Sequence, residues 1–309
     1  MLRATLLFLS ERQGINTFVR RNPLARRGAS RFVAGETLDE AVTAVRALNG
    51  RGIAASLDLL GESVKEASSA GEAAGQIAAV VDRIAAERLD CNVSIKLTQI
   101  GFDLGPAVVR ENARRILDRA RKHGIFIRVD MEGSAYTQKT LDLFEGELFP
   151  EYGRDLVGIV VQSYLYRTRD DVARLIGRGA RVRLCKGAYK EPAAVAYPLK
   201  ADVDRSYAEL MELLIERGLY PGIATHDEAL LVRARRFVEA RRIPHDRFEF
   251  QMLYGVRRDL QDQLVKDGYR LRVYVPFGTQ WYPYFMRRLA ERPANIAFIL
   301  GNVVREVWS

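Results

Sequence analysis

Tyr284, Arg287 and Arg288 lie three and four residues apart in the stretch VYVPFGTQWYPYFMRRLAERPAN, residues 273–295. On a helix, that spacing puts the ring and both guanidinium groups on one face. Two adjacent cations repel each other, so an anion is needed to justify them, and arginine makes forked hydrogen bonds to a carboxylate or a phosphate. An aromatic ring beside the pair suits a small apolar body that carries a carboxylate.

Other groups able to do chemistry sit at or just past short apolar runs. Glu62, Lys96, Asp130, Gln162, Arg183 with Lys186, Thr225 with His226, Gln251 and Tyr274 follow, in that order, the runs IAASLDLL (53–60), NVSIKL (92–97), IFIRVDM (125–131), LVGIVVQ (156–162), ARVRLCK (180–186), YPGIAT (220–225), FEFQML (248–253) and LRVYVP (271–276). Cations outnumber acids in this set, so a concave site built from it would gather anions. Lys186, next to Gly187, reads either as a Schiff-base nucleophile or as a cofactor contact. In THD (225–227) a helix begins, and its backbone N–H groups together with His226 could receive a pyrophosphate.

Those runs are the strands that must position the chemistry. Between them lie helix-like stretches such as GPAVVRENARRILDRARKHG (105–124), with Pro106 suited to the first turn and Gly124 to the stop, and DVDRSYAELMELLIERG (202–218). Eight strand–helix alternations fit an open doubly wound sheet or a closed (βα)8 barrel. No GxGxxG follows any strand, which removes the usual support for the open sheet, and the count of eight favours the barrel, whose reacting groups come from the carboxyl ends of its strands. The loops after the seventh and eighth runs, LYGVRRD and PFGTQWYP, hold a single glycine each, a poor phosphate cup beside a good aromatic wall. The expected organisation is an N-terminal helical extension over residues 1–50 and a catalytic barrel over 51–309, with no linker of low complexity between them.

Composition sets the bounds. The chain has 309 residues, a net charge of +9, two cysteines and three histidines, so a disulfide framework, a cysteine-rich metal site and a histidine metal site are all disfavoured. Residues 1–35 carry seven arginines against the single acid Glu11. This segment reads as an amphipathic extension folded on the body, with a presequence or a contact to nucleic acid or acidic lipid as rivals. Its apolar run ATLLFLS is far shorter than a membrane span requires.

The motifs SLDLLGE, VVQSYLYR, RLCKGAY, GIATHDEALL, FEFQMLYG and YFMRRLAERPAN, in this order and spacing, resemble the flavin-dependent proline dehydrogenases, especially the short monofunctional bacterial type, from FVAGET at 32–37 to about residue 302. The resemblance implies a distorted (βα)8 TIM-type barrel that holds FAD non-covalently, takes a hydride from C5 of L-proline to flavin N5, forms Δ1-pyrroline-5-carboxylate and passes the electrons to a membrane quinone. It makes Lys96, Arg287 and Arg288 the cradle of the proline carboxylate, and Tyr274 and Tyr284 the rings against the pyrrolidine. It makes Met131, Gln162, Arg183, Lys186, Gly187, Ala188, Thr225 and His226 FAD contacts. Asp130 and Arg183 match the positions named as active-site residues, with Asp130 orienting cationic neighbours, and Glu62 matches a gate that pairs with Arg287. The segment from Tyr274 to the arginine pair is two residues shorter than in the long bifunctional enzymes, so lid details do not transfer, and 309 residues leave no room for their aldehyde dehydrogenase half. A cytoplasmic protein touching the inner face of the membrane peripherally, with no nucleic acid and no metal, is the expectation. The alternative from another class is a Schiff-base aldolase using Lys96 or Lys186.

Overall fold

The computed structural model describes residues 29–61 and 63–291. Its eight strands are β1 (Ala54–Leu59), β2 (Cys91–Ile95), β3 (Ile127–Val129), β4 (Val157–Gln162), β5 (Arg181–Cys185), β6 (Gly222–Ala224), β7 (Glu249–Leu253) and β8 (Leu271–Phe277). They follow one another in a closed barrel, every pairing is parallel, and β8 returns to β1. The helices are α1 (Leu38–Asn49), α2 (Ala67–Ala86), α3 (Pro106–His123), α4 (Ser134–Leu143), α5 (Phe149–Tyr152), α6 (Thr168–Gly177), α7 (Lys200–Arg217), α8 (Glu228–Arg241), α9 (Arg258–Lys266) and α10 (Trp281–Glu291).

Local chemistry sets the helix ends. α1 opens with a capping box, in which the Thr37 hydroxyl accepts from the Glu40 amide at 3.3 Å and the Glu40 carboxylate accepts from the Thr37 amide at 2.9 Å. In α3, Pro106 occupies the first turn and Gly124 ends the helix at φ 66°, a conformation glycine adopts without strain.

Strands β1, β2, β3 and β8 alternate. Leu57, Ile95, Val129 and Val273 belong to the buried apolar core, while their neighbours in sequence are polar and hydrogen-bonded within the barrel. The lumen of such a barrel is ordinarily filled by branched apolar side chains. Here Ser56, Asp58, Ser94, Arg128, Arg183 and Gln251, all buried, replace them. Long polar side chains need space opposite, and glycine supplies it. A Cβ on Gly158 of β4 would lie 2.7 Å from Arg128 Nη1, and one on Gly222 of β6 would lie 2.5 Å from the Gln251 amide.

A second apolar cluster closes the carboxyl end. Trp281, Tyr282, Phe285 and Met286 of α10 pack with Phe32 and Val33 from the chain before α1. That chain is bound to the barrel rim, with Ala34 donating to the Pro276 carbonyl at 2.9 Å and Gly278 to the Gly35 carbonyl at 3.0 Å. The turn at Gly255 (φ 73°) must be glycine, because a Cβ there would lie 1.6 Å from the Arg31 carbonyl oxygen. Among the described residues, no helix is long and apolar enough to cross a membrane.

Candidate active site

At the carboxyl end of the strands, β1, β2, β3, β5 and β8 bring Asp58, Lys96, Asp130, Arg183 and Tyr274 together. Lys96 Nζ forks to both oxygens of Asp58 at 3.0 and 3.1 Å and reaches the Tyr274 hydroxyl at 3.2 Å and Asp130 at 3.5 Å. The Tyr274 hydroxyl in turn donates to Asp130 at 2.9 Å. Arg183 Nη1 donates to the other Asp130 oxygen at 2.9 Å and to Ser94 at 3.2 Å, and its Nε donates to the Gln251 amide oxygen. The Ser94 hydroxyl meets that of Ser56 at 3.0 Å. The Arg183 guanidinium lies over the Tyr274 ring, 5.4 Å from its centroid, and Lys96 lies 5.9 Å from the same point, within the range where the ring face attracts a cation.

Burial dominates the electrostatics. It pushes the Asp58 carboxyl up, with Lys96 pulling it back and Asp130 adding to the rise; the attraction of the pair does not fully repay its desolvation. The Tyr274 hydroxyl is raised well above its usual range by burial and then by Asp130 and Asp58, so at neutral pH it remains a hydrogen-bond donor. Cys185, at the end of β5, is pushed up to about 11 by burial, and the charges of Arg183 and Arg288 are among those acting on it. Arg288 lies over the Tyr284 ring at 5.1 Å, so the expected sharing of one helix face by Tyr284 and Arg288 holds.

Other expected contacts border the same mouth. Gln162 is buried and donates to the Met131 carbonyl at 3.3 Å, while its amide oxygen has no protein partner. Gly187 (φ 116°) presses its backbone on the Tyr164 ring, where a Cβ would be 2.5 Å away, and Ala188 is exposed. Thr225 accepts from the Asp227 amide at 3.1 Å, and His226 Nε2 accepts from the Leu253 amide at 2.8 Å. An unpaired buried amide oxygen and close-packed glycine backbone suit the edge of a polar, planar ring system, so the residues present fit the flavin that the resemblance implies. Among the described residues, no cluster of ligands could hold a metal ion.

Two sequence expectations need correction. The excess of positive charge at the mouth is smaller than the strand ends imply. Asp58, missed in the sequence, faces Lys96, and Lys186 is paired with Asp227 at 2.8 Å and with Asp204 at 2.5 Å. The start of α8, read as open to a pyrophosphate, already carries the Asp227 carboxylate, which also caps the Ala229 amide at 3.2 Å. These pairings occupy both lysines with carboxylates, which weighs against either acting as a Schiff-base nucleophile. Asp58 was legible in principle, since Ser56–Asp58 and Ser94–Lys96 put polar residues two apart inside apolar runs, the spacing that shares one face of a strand. Glu62 lies outside the described residues, and its pairing with Arg287 stays an expectation.

Residues 41–300 match the family described as Proline dehydrogenase. The chain is 43% identical over 308 residues to Proline dehydrogenase of Deinococcus radiodurans, covering 99% of this chain and 98% of that protein. It is 40% identical over 306 residues to Proline dehydrogenase 1 of Bacillus subtilis strain 168, covering 99% and 100%. Among solved structures, proline utilization A (PutA) from Bdellovibrio bacteriovorus inactivated by N-propargylglycine superposes with a TM-score of 0.80 at 27% identity, over 90% of this chain and 34% of that one. The chain thus spans about a third of the length of that solved protein.

Proposed function

The chain belongs to the proline dehydrogenase family, and from that premise we propose that it oxidises L-proline to Δ1-pyrroline-5-carboxylate with bound FAD and passes the electrons to a membrane quinone. The observation that supports the reading is the cluster of Lys96, Asp130, Arg183 and Tyr274 at the barrel mouth, with Tyr284 and Arg288 sharing one face of α10. The chemistry a bound FAD would supply is that of acceptor for the hydride leaving C5 of the substrate.

This chain's residues bind and orient. Arg287, Arg288 and Lys96 hold the substrate carboxylate, each charge-assisted bond contributing roughly 1.5–3 kcal/mol. The rings of Tyr274 and Tyr284 pack on the pyrrolidine, so one end of the substrate is fixed by charge and its body by shape. Asp130 is a positioning group: Arg183, Lys96 and Tyr274 all converge on its two oxygens. Through that carboxylate, Arg183 stays aimed into the lumen, where a fixed positive charge favours negative charge developing on a bound ring system. Met131, Gln162, Lys186, Gly187, Ala188, Thr225 and His226 would border the cofactor. Glu62 would act as the gate by pairing with Arg287. The basic segment 1–35 would give peripheral contact with anionic lipid at the cytoplasmic face, with no role for nucleic acid.

Arg288→Met is expected to lower kcat/KM for proline by about ten- to a hundredfold, the worth of one charge-assisted bond, while the yellow flavin spectrum is retained. An unchanged kcat/KM would remove Arg288 from the cradle. A purified protein that is colourless and is not reduced by proline would overturn the whole reading.

A further inference from the structure

The loop that follows β5 leaves the barrel at Lys186 and returns to it at α7. Its first stretch, the arch 187–190, stands on Tyr164 of the loop after β4. The Tyr164 amide donates to the Lys186 carbonyl at 3.0 Å, its buried ring packs against Gly187, and its hydroxyl donates to the Glu191 carboxylate at 3.3 Å. Burial, and then the Glu191 charge, push that hydroxyl up, so it stays a donor. Between these two footings Gly187 and Ala188 make no backbone hydrogen bond among the described residues. A segment with so few bonds of its own takes its shape from its ends.

Glu191 is the far footing, and it reaches to a third loop. Its carboxylate also accepts from the Ser134 amide at 2.8 Å and from the Ser134 hydroxyl. Ser134 opens α4, and the residue before it, Gly133, has no side chain with which to cap the helix. The first turn of a helix leaves amides unsatisfied and favours negative charge. A carboxylate 57 positions along the chain therefore does what a capping side chain would do.

One side chain thus ties the loop after β3, which carries Asp130 and Met131, to the loop after β5, which carries Gly187 and Ala188. Further on, the second of these loops is held again, with Tyr166 donating to the Val195 carbonyl at 3.1 Å and Tyr197 to the Tyr164 carbonyl at 2.8 Å. Loss of Glu191 would free the arch and leave the rest of the loop in place.

We propose that Glu191 is a positioning residue for the cofactor, which by clasping Ser134 and Tyr164 holds the arch 187–190 in the shape that borders FAD. The inference rests on the proposed function, in which Met131, Gly187 and Ala188 line the flavin site. Glu191 acts through the backbone of the two loops it joins.

The test is the rate at which the full-length, flavin-loaded protein releases FAD on dilution, read as the rise in flavin fluorescence. Glu191→Ala is expected to release it about tenfold faster, the cost of a site no longer preorganised. Glu191→Gln keeps an oxygen for the Ser134 amide and should lie closer to the parent than to Glu191→Ala. Melting separates positioning from a general loss of stability, because a bound ligand raises Tm by an amount set by its affinity. The gap in Tm between the loaded and the flavin-free chain should narrow in Glu191→Ala. Release at the parent rate, a Tm gap equal to the parent's, or Glu191→Gln as fast as Glu191→Ala would each overturn the clasp, with the parent still yellow and reduced by proline. A colourless parent would overturn the proposed function and this inference together.

Discussion

The hydroxyl of Tyr274 is held from two sides, accepting from Lys96 at 3.2 Å and donating to Asp130 at 2.9 Å. Removing it while keeping the ring tests what the bridge contributes. Tyr274→Phe leaves the cation–ring contacts intact and takes one hydrogen-bond partner each from Lys96 and Asp130, which keep others, at a cost of about 0.5–1.5 kcal/mol per bond. Urea denaturation should show a loss of that order, and a loss below about 0.5 kcal/mol would mean that water replaces the hydroxyl. At this scale the site was only partly legible. Lys96, Asp130, Arg183 and Tyr274 stand out as polar residues beside apolar runs, whereas Asp58 is hidden inside one and is recognised only when Lys96 is seen to fork onto it.

The strands show how space is shared between neighbours. β4 and β6 face the lumen with Gly158 and Gly222, and β3 and β7 fill the gap with Arg128 and Gln251. Gly158→Ala would put a Cβ 2.5 Å from the Arg181 carbonyl and 2.7 Å from Arg128 Nη1. A backbone atom cannot swing aside as a side-chain tip can, so the variant should lose about 1–3 kcal/mol, typical of overpacking, read as a lower Tm in calorimetry. A Tm equal to the parent's would show that β4 and β5 slide apart at no cost. The strand boundaries themselves were readable from the runs, and each of the eight lies within its run or extends one residue beyond it. The need for glycine at 158 and 222 was not readable, because it depends on which side chain the adjacent strand turns inward.

Across the whole molecule, buried and half-buried ion pairs tie strands to helices. Glu249 sits below the ordinary carboxylate range because, although burial pushes it up, the Arg272 pair outweighs that effect. Asp204 and Asp227 are likewise raised by burial but lowered overall by Lys186 and Lys200. A folded-state value below the unfolded one means that the unfolded chain takes up protons first as the pH falls. The stability these groups contribute is present above the unfolded carboxylate value of about 4 and is lost as the pH drops through their folded values. Asp58 runs the other way: it is raised, so protonation in the fold relieves part of its burial cost. Among the described residues four carboxylates are lowered, Asp259 beside Arg257 being the fourth, against one raised, which predicts a net loss of Tm on acidification below about pH 4. A Tm flat across that range would mean that the pairs contribute nothing.

Sequence alone determined the eight-strand barrel, the family resemblance and most residues of the carboxyl mouth, because apolar runs, helix stops and strand-end chemistry are local and leave a periodic trace. The tertiary structure decided which charges face one another. Asp58 under Lys96 and Asp204 and Asp227 around Lys186 join residues from different strands, helices and loops. A charge's environment depends on what the closed barrel places opposite it, and closure through β1 and β8 brings together residues more than 200 positions apart, such as Arg272 and Ala55.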